Sequence, residues 1–370
     1  MRSSTCGSTL AKFLAALALH GCAGGESSKL QSNAVVWTSL GEVSIGDDGK
    51  SAWVELPVDP EDRYHAIRVT PSSSEVPVCL RPEPVELASG EVWVEPWSPG
   101  DDDAVCARCS EPVFAQRGFG MFVFPSATTL ATKDTLRLRI QLLDCDLFIP
   151  VSRARIPSLP NTVRFETATE RTSSTGSPTL EVWVGHQSDA YGMLDDRDAA
   201  WNDVFRLFDE VGIALEVVGT SEVHMTGALE WSRGASAPYA ALLEQIPHRE
   251  RRIVPIVVVP CLLDGGVSIP GVTSRIPGGI NPQASSVDSA VFMSTGCGAE
   301  FGTGAVALRL AHEIGHYLGL FHSDSPAGAS VAPEGSVMNA RPILLAPELQ
   351  HFTPEQAAIM MRHPDVFFRP

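Results

Sequence analysis

The sequence predicts an all-β, sandwich-like domain followed by an α/β (α+β) domain with a mixed, mostly parallel sheet, on three observations. From Ala34 to about Glu170, short alternating apolar runs are broken by Pro, Gly and Asp, with no helical period of useful length. Arg171–Pro178 then reads Arg-Thr-Ser-Ser-Thr-Gly-Ser-Pro, a flexible-linker composition. Beyond it, strand-like and helix-like stretches alternate, as they do around a parallel sheet. The expected domains are residues 34–170 and 179–370, joined by a linker at 171–178 and preceded by an export signal (1–24) and a tether (25–33).

In the signal, Arg2 and Lys12 supply positive charge, Phe13–Leu19 is a short apolar core, and small residues follow. Leu19-His20-Gly21-Cys22 resembles a bacterial lipobox, in which Cys22 becomes a lipidated N-terminus; His20 is unusual at its place. Ala23 does not look like an inner-membrane retention residue, so the resemblance implies an outer-membrane or cell-surface anchor. Ordinary cleavage after Ala23 would release a secreted protein instead. Ser27–Asn33 is polar, as a tether should be.

Strands are expected at Ala52–Leu56, Glu91–Glu95, Met121–Phe124 and Leu136–Ile140. Many such strands with turns between them argue for an antiparallel sandwich, which on exported enzymes is a spacer or a binding accessory. Asp101–Asp103 reads as a solvated acidic turn before a calcium ligand set. Six cysteines follow Cys22: Cys79, Cys106, Cys109, Cys145, Cys261 and Cys297. An even number in an exported chain favours disulfides, and six allow fifteen pairings. Four precede the linker and two follow it, so no bridge between domains is expected, and Cys261–Cys297 is the favoured pair. Cys106-Ala107-Arg108-Cys109 has no second such motif to complete a metal knuckle.

After the linker, Leu180, Val182 and Val184 mark a strand. Asp195–Val211 is a helix with Trp201, Val204, Phe205 and Phe208 on one face and Asp195, Asp196 and Asp198 near its positive end. Ile213–Val218 is the next strand. Ile253–Val259 is a nearly continuous apolar run, expected to be covered on both faces, with Pro255 placing its first part at an edge or bulge. Gly265–Ser286 reads as a long surface loop framing a cleft, and Ala290–Met293 as a short strand. A helix follows, with Thr303 able to cap it and Val306, Leu310, Ile314, Tyr317 and Leu318 facing the core. Thr353-Pro354-Glu355-Gln356 opens a last helix through Ala357, Ile359, Met360 and Met361, stopped by Arg362-His363-Pro364.

The chemistry lies in His312-Glu313-Ile314-Gly315-His316-Tyr317-Leu318-Gly319-Leu320-Phe321-His322. Residues four apart share a helix face, so His312 and His316 can offer two imidazole nitrogens to one ion. Glu313 stands about 100° round the helix, suited to a base beside the metal. Gly319 can take the left-handed conformation that ends a helix and turns His322 back toward the same ion. Three imidazoles with a fourth position left to water are the ligands of a catalytic zinc. His20, His65, His186, His224, His248, His351 and His363 lack such spacing and read as surface or hydrogen-bonded residues.

The whole pattern, His-Glu-x-x-His-x-x-Gly-x-x-His, resembles the signature of the metzincin metallopeptidases, and Ser336-Val337-Met338-Asn339 resembles their methionine turn. The resemblance covers about residues 180–370. It implies a zinc endopeptidase with protein or peptide substrates. His312, His316 and His322 would hold Zn2+, Glu313 would be general base, Gly319 would make the turn, and Met338 would lie as an apolar floor beneath the metal. It also implies that the strand at Ala290–Met293 is an antiparallel edge that pairs with extended substrate, and that a C-terminal helix follows the turn. Ser323 resembles matrixins, but the surrounding sequence does not, and no tyrosine closely follows Met338 as it does in astacins and serralysins. Arg108-Cys109-Ser110-Glu111-Pro112 lacks the glycine and aspartate of the matrixin latency switch.

A formal charge of −17 with few basic clusters argues against nucleic acid as a partner. After the first segment no run of eighteen apolar residues appears, so the only membrane attachment expected is a lipid at Cys22. The sequence fixes no oligomeric state. The rival reading is a surface-anchored binding or adhesion module whose zinc site is incidental or acts on something other than peptides.

Overall fold

The computed structural model describes residues 35–72, 78–94, 116–117, 120–124, 133–145, 149–171, 176–187, 190, 197–225, 227–231, 241–242, 244–245, 252–274, 276–279, 289–297, 303–322, 335–339 and 350–369. The signal, its lipobox, the tether, Asp101–Asp103, Cys106, Cys109, Asp195, Asp196 and Ser323 lie outside the described residues.

Among the described residues, the chain up to Arg171 forms strands only, in three antiparallel sheets. One has β1 (Thr38–Ser44), β11 (Thr162–Arg171), β3 (Asp62–Pro71) and β8 (Gly120–Phe124) in that order; the second has β10 (Ile140–Asp144), β4 (Val78–Pro82) and β7 (Gln116–Arg117). The third has β2 (Val54–Val58), β9 (Asp134–Leu138), β5 (Val85–Leu87) and β6 (Val92–Val94). All three turn side chains into one core that includes Leu56, Ile67, Val69, Leu80, Phe122, Leu136, Ile140 and Phe165. The run expected as one strand at Leu136–Ile140 is two. Arg139 is the corner where the chain leaves the β2–β9 pair for the β4–β10 pair. Its guanidinium is held there by Glu83 at 2.7 Å and lies over the Trp53 ring. Cys79 and Cys145 form a disulfide joining β4 to the end of β10.

In the second half, β13 (Ala214–Glu222), β12 (Ser177–His186), β15 (Ile253–Val259), β19 (Val291–Ser294) and β18 (Gly271–Thr273) lie in that order in one sheet. The pairs β12–β13, β12–β15 and β15–β19 are parallel, whereas β18 runs antiparallel to β19. Both faces of β15 are covered. Val254, Ile256 and Val258 join the core beneath the helices α1 (Arg197–Asp209) and α2 (Thr303–Tyr317). Val257 and Val259 pack with Leu229 and Leu262 of a small sheet made of β14 (Leu229–Trp231), β16 (Leu262–Asp264) and β17 (Val267–Ser268). Pro255 pairs with β12 just before β19 begins to pair at Ile256, so its missing N–H costs no sheet bond on that side.

Several expectations are corrected. Arg171 and Ser177–Pro178 belong to strands rather than to a linker. Among the described residues the α1 helix runs Arg197–Asp209 and so ends before Val211, and its deepest residues are Ala200, Val204, Leu207 and Phe208, with Trp201 and Phe205 half-buried. On α2, Val306 is half-buried while Ala307, Leu308 and Ala311 are buried, because the helix is packed on more than one side. The stretch from Gly265 to Ser286 is not all loop, since it carries β17 and β18. Nor does the chain end on a helix: after α3 (Pro354–Met360), β20 (Val366–Arg369) pairs antiparallel with the start of β12.

Candidate metal centre

The second half of α2 is buried almost continuously from Leu310 to Leu318, and its end is closed by backbone geometry. Gly319 has φ +102°, its N–H donates to the His316 carbonyl at 3.0 Å, and the Leu320 N–H reaches back to the Gly315 carbonyl at 2.9 Å. These two bonds are the Schellman pattern, which needs a left-handed residue at the Gly319 position and buries an apolar residue after it. Leu320 fills that place at 1% exposure. The chain therefore reverses, and His322 returns to the helix face that carries His312 and His316.

Ligand nitrogens of the three histidines all lie within 4.8 Å of one another, and Nε2 of His322 is 3.2 Å from Nε2 of His312. Imidazole nitrogens placed about 2.0–2.1 Å from a tetrahedral zinc stand about 3.3 Å apart, so this spacing suits two ligands of one cation. The other ring nitrogens agree. His312 Nδ1 is 2.8 Å from the Val337 carbonyl, and His316 Nδ1 is 2.7 Å from the Leu320 carbonyl. A carbonyl can only accept, so each Nδ1 carries the hydrogen and, in a neutral ring, each Nε2 presents its lone pair to the centre. Burial first, then the neighbouring rings of His312 and His322, pushes His316 well below its ordinary range and keeps it neutral. The donor set thus fits a divalent cation taken up through nitrogen.

Glu313 is 6% exposed and lies against the edge strand β18. Thr273 Oγ1 is 2.9 Å from Glu313 Oε2 and 2.6 Å from its backbone carbonyl. Burial pushes the Glu313 carboxyl up to about 7, partly opposed by the Thr273 hydroxyl and by Arg309 one helical turn earlier. The antiparallel edge expected at Ala290–Met293 is misplaced: β19 is covered by β15 on one side and β18 on the other, and among the described residues β18 is the last strand of the sheet.

Met338 is fully buried beneath the helix; a Cβ built on Gly315 would stand 2.6 Å from its Sδ. The turn is fixed from behind. Ser336 Oγ accepts from the Met338 N–H at 3.1 Å and from Gln356 Nε2 at 3.0 Å, while Gln356 Oε1 accepts from the Thr353 N–H at 3.0 Å as half of the α3 capping box. One glutamine thereby ties the start of α3 to the turn whose Val337 carbonyl orients His312. His312, Glu313, His316, Gly319, His322 and Met338 all meet here. Gly315, Thr273, Val337 and Gln356 were not found by sequence reasoning. A glycine in mid-helix was a signal, since it costs about 1 kcal/mol against alanine and implies close packing; Thr273 had none. The disulfide expected between Cys261 and Cys297 is present and ties the start of β16 to the segment after β19.

No protein-family model matches the chain, and no curated protein does. Among solved structures, metalloproteinase-II from Bacteroides fragilis aligns at 17% identity and a TM-score of 0.35, covering 56% of this chain and 63% of its own. An archaemetzincin from Methanopyrus kandleri aligns at 15% identity and a TM-score of 0.34, covering 50% of this chain and 95% of its own. The chain thus spans less than two thirds of the Bacteroides protein.

Proposed function

We propose that the protein is a zinc-dependent endopeptidase of metzincin type. The observation that carries the reading is the convergence of His312, His316 and His322 with a buried carboxylate, Glu313, on the next position of the same helix. When bound, zinc polarises the scissile carbonyl and lowers the pKa of a water molecule to about 7. His312, His316 and His322 hold the ion, with Val337 and Leu320 orienting two of the rings. Glu313 accepts the proton of the attacking water and returns it to the leaving amine. Met338 is the apolar floor. An extended peptide adds to the outer edge of β18, where main-chain bonds hold it alongside Glu313.

The residues before the linker are an accessory, sandwich-like module in this reading, and export with an anchor at Cys22 belongs to the same proposal. Fatty-acid labelling that is absent from the wild type, or that survives Cys22→Ala, would remove the anchor. For the activity, the test is turnover of denatured casein by the purified mature chain. Expected is cleavage abolished by a chelator and restored by zinc; no cleavage at any zinc loading would leave the chain as a binding module.

A further inference from the structure

We propose that Thr273 is the positioning residue of Glu313, and that β18 holds the base through a two-residue slot. The inference rests on the peptidase reading for its kinetics but not for its geometry. Gly271 and Thr273 are two apart on β18 and so project on one face of the strand. At the first position a Cβ would lie 3.0 Å from Glu313 Cγ and from Met293 Sδ and 3.2 Å from Oε1, closer than side chains ordinarily pack, so the bare backbone of Gly271 gives the Glu313 side chain its room. At the second, the Thr273 hydroxyl reaches Oε2 at 2.9 Å and the Glu313 carbonyl at 2.6 Å. One residue makes room and the other supplies the bond.

A threonine hydroxyl has one hydrogen and two lone pairs, and here it faces two oxygens of the same residue, the Glu313 carbonyl and Oε2, so it holds the side chain back against its own helix. A valine of the same shape removes the hydroxyl and keeps the packing; a serine keeps the hydroxyl.

The test compares wild type with Thr273→Val and Thr273→Ser, using a quenched peptide, the zinc content of each purified protein, and the crystal structure of Thr273→Val. Expected for Thr273→Val is a fall in kcat of about 10- to 100-fold with KM changed less than about 2-fold, the pattern of a lost transition-state interaction. Zinc content stays at the wild-type value, Glu313 Oε2 swings off its present position, and Thr273→Ser retains kcat within about 3-fold of wild type. Unchanged kcat in Thr273→Val, an equal fall in Thr273→Ser, or an unmoved Glu313 overturns the proposal. If the wild type cleaves no peptide, the peptidase reading fails, and the Glu313 position in Thr273→Val still decides the slot. Should Thr273→Val not fold, Gly271→Ala is the substitute: its methyl is expected to displace Glu313, and an undisplaced carboxylate counts against the slot.

Discussion

At the scale of single residues, the proposed reaction gives the three histidines and Glu313 different tasks, and variants separate them. Glu313→Gln keeps the shape and the Thr273 contact but cannot take a proton. It is expected to bind zinc as the wild type does and to lose about 10²- to 10⁴-fold in kcat; a variant that matches wild type on a peptide library would end the general-base assignment. His316→Ala is expected to lose the metal as well, measured by zinc content after gel filtration. A second titratable residue acts on stability far from this centre. Burial drives the His65 imidazole down to about 4, against the pull of Asp59, so the folded ring is neutral. The unfolded chain takes up that proton near pH 6.5, so between about pH 6.5 and 4 it binds more protons than the fold does. Stability therefore falls as pH drops through this window, by about 3 kcal/mol in total, and is fully present above it. Urea unfolding of the metal-free protein checks this: His65→Leu should shrink the difference between pH 7 and pH 4.5, leaving the share of the buried, depressed His316 and His363, and equal pH dependence in both proteins would refute it.

At the scale of elements, two glycines in α2 and its cap do different jobs. Gly319 has φ +102° and room for a side chain, its nearest neighbour being Ile359 Cγ2 at 3.6 Å from a built Cβ. Gly319→Ala should therefore cost only the left-handed backbone, about 1–2 kcal/mol, and leave zinc binding intact. Gly315 has ordinary helical geometry but no room, with Met338 Sδ 2.6 Å from its built Cβ. Helix propensity would favour alanine there by about 1 kcal/mol, yet the methyl must push the methionine turn away and with it the Val337 carbonyl that orients His312. Gly315→Ala should weaken zinc affinity, and Met338→Ala in the same chain should restore part of it; additive effects in that double-mutant cycle would contradict the contact. The same elements show what was legible in the sequence. The α2 helix was readable because five defined positions in eleven fix both its period and its stop. The α3 helix was readable from its capping box, although the second task of Gln356 was not. By contrast, β18 is three residues long between Pro270 and Ser274, too short to show a period of two. In β3, His65 and Arg68 are buried along with Ile67 and Val69, so no apolar alternation marks it as a strand covered on both faces.

At the scale of the molecule, the strands up to Arg171 meet the half that carries the three histidines through buried charge. Arg63 of β3 donates to the Val366 carbonyl at 2.6 Å and to that of Met361, both near the C-terminus, and pairs with Glu170 of β11 at 2.8 Å. Glu170 also accepts from Arg252, just ahead of β15, at 2.9 Å. Burial raises the Glu170 carboxyl, but Arg252 and Arg63 outweigh it and hold it below its ordinary range. The Arg63 guanidinium lies over the rings of Tyr64 and Phe368, and a Cβ on Gly279 would meet Met121 Sδ of β8 at 2.3 Å. The grip continues inward, since Tyr317, next to His316, donates to Asp365 at 2.7 Å just before Val366. A spacer on a loose linker needs none of this. Arg63→Ala would strand two carbonyls and half of the Glu170 pair, at a cost of about 3 kcal/mol. Arg63→Lys should recover little, because one ammonium cannot span the acceptors that a planar guanidinium spans. Calorimetry of the wild type should then show both halves melting in one transition, with Arg63→Ala lowering its midpoint or splitting it. Two well-separated transitions in the wild type, the first leaving zinc bound, would mean that the strands up to Arg171 are a detachable accessory after all.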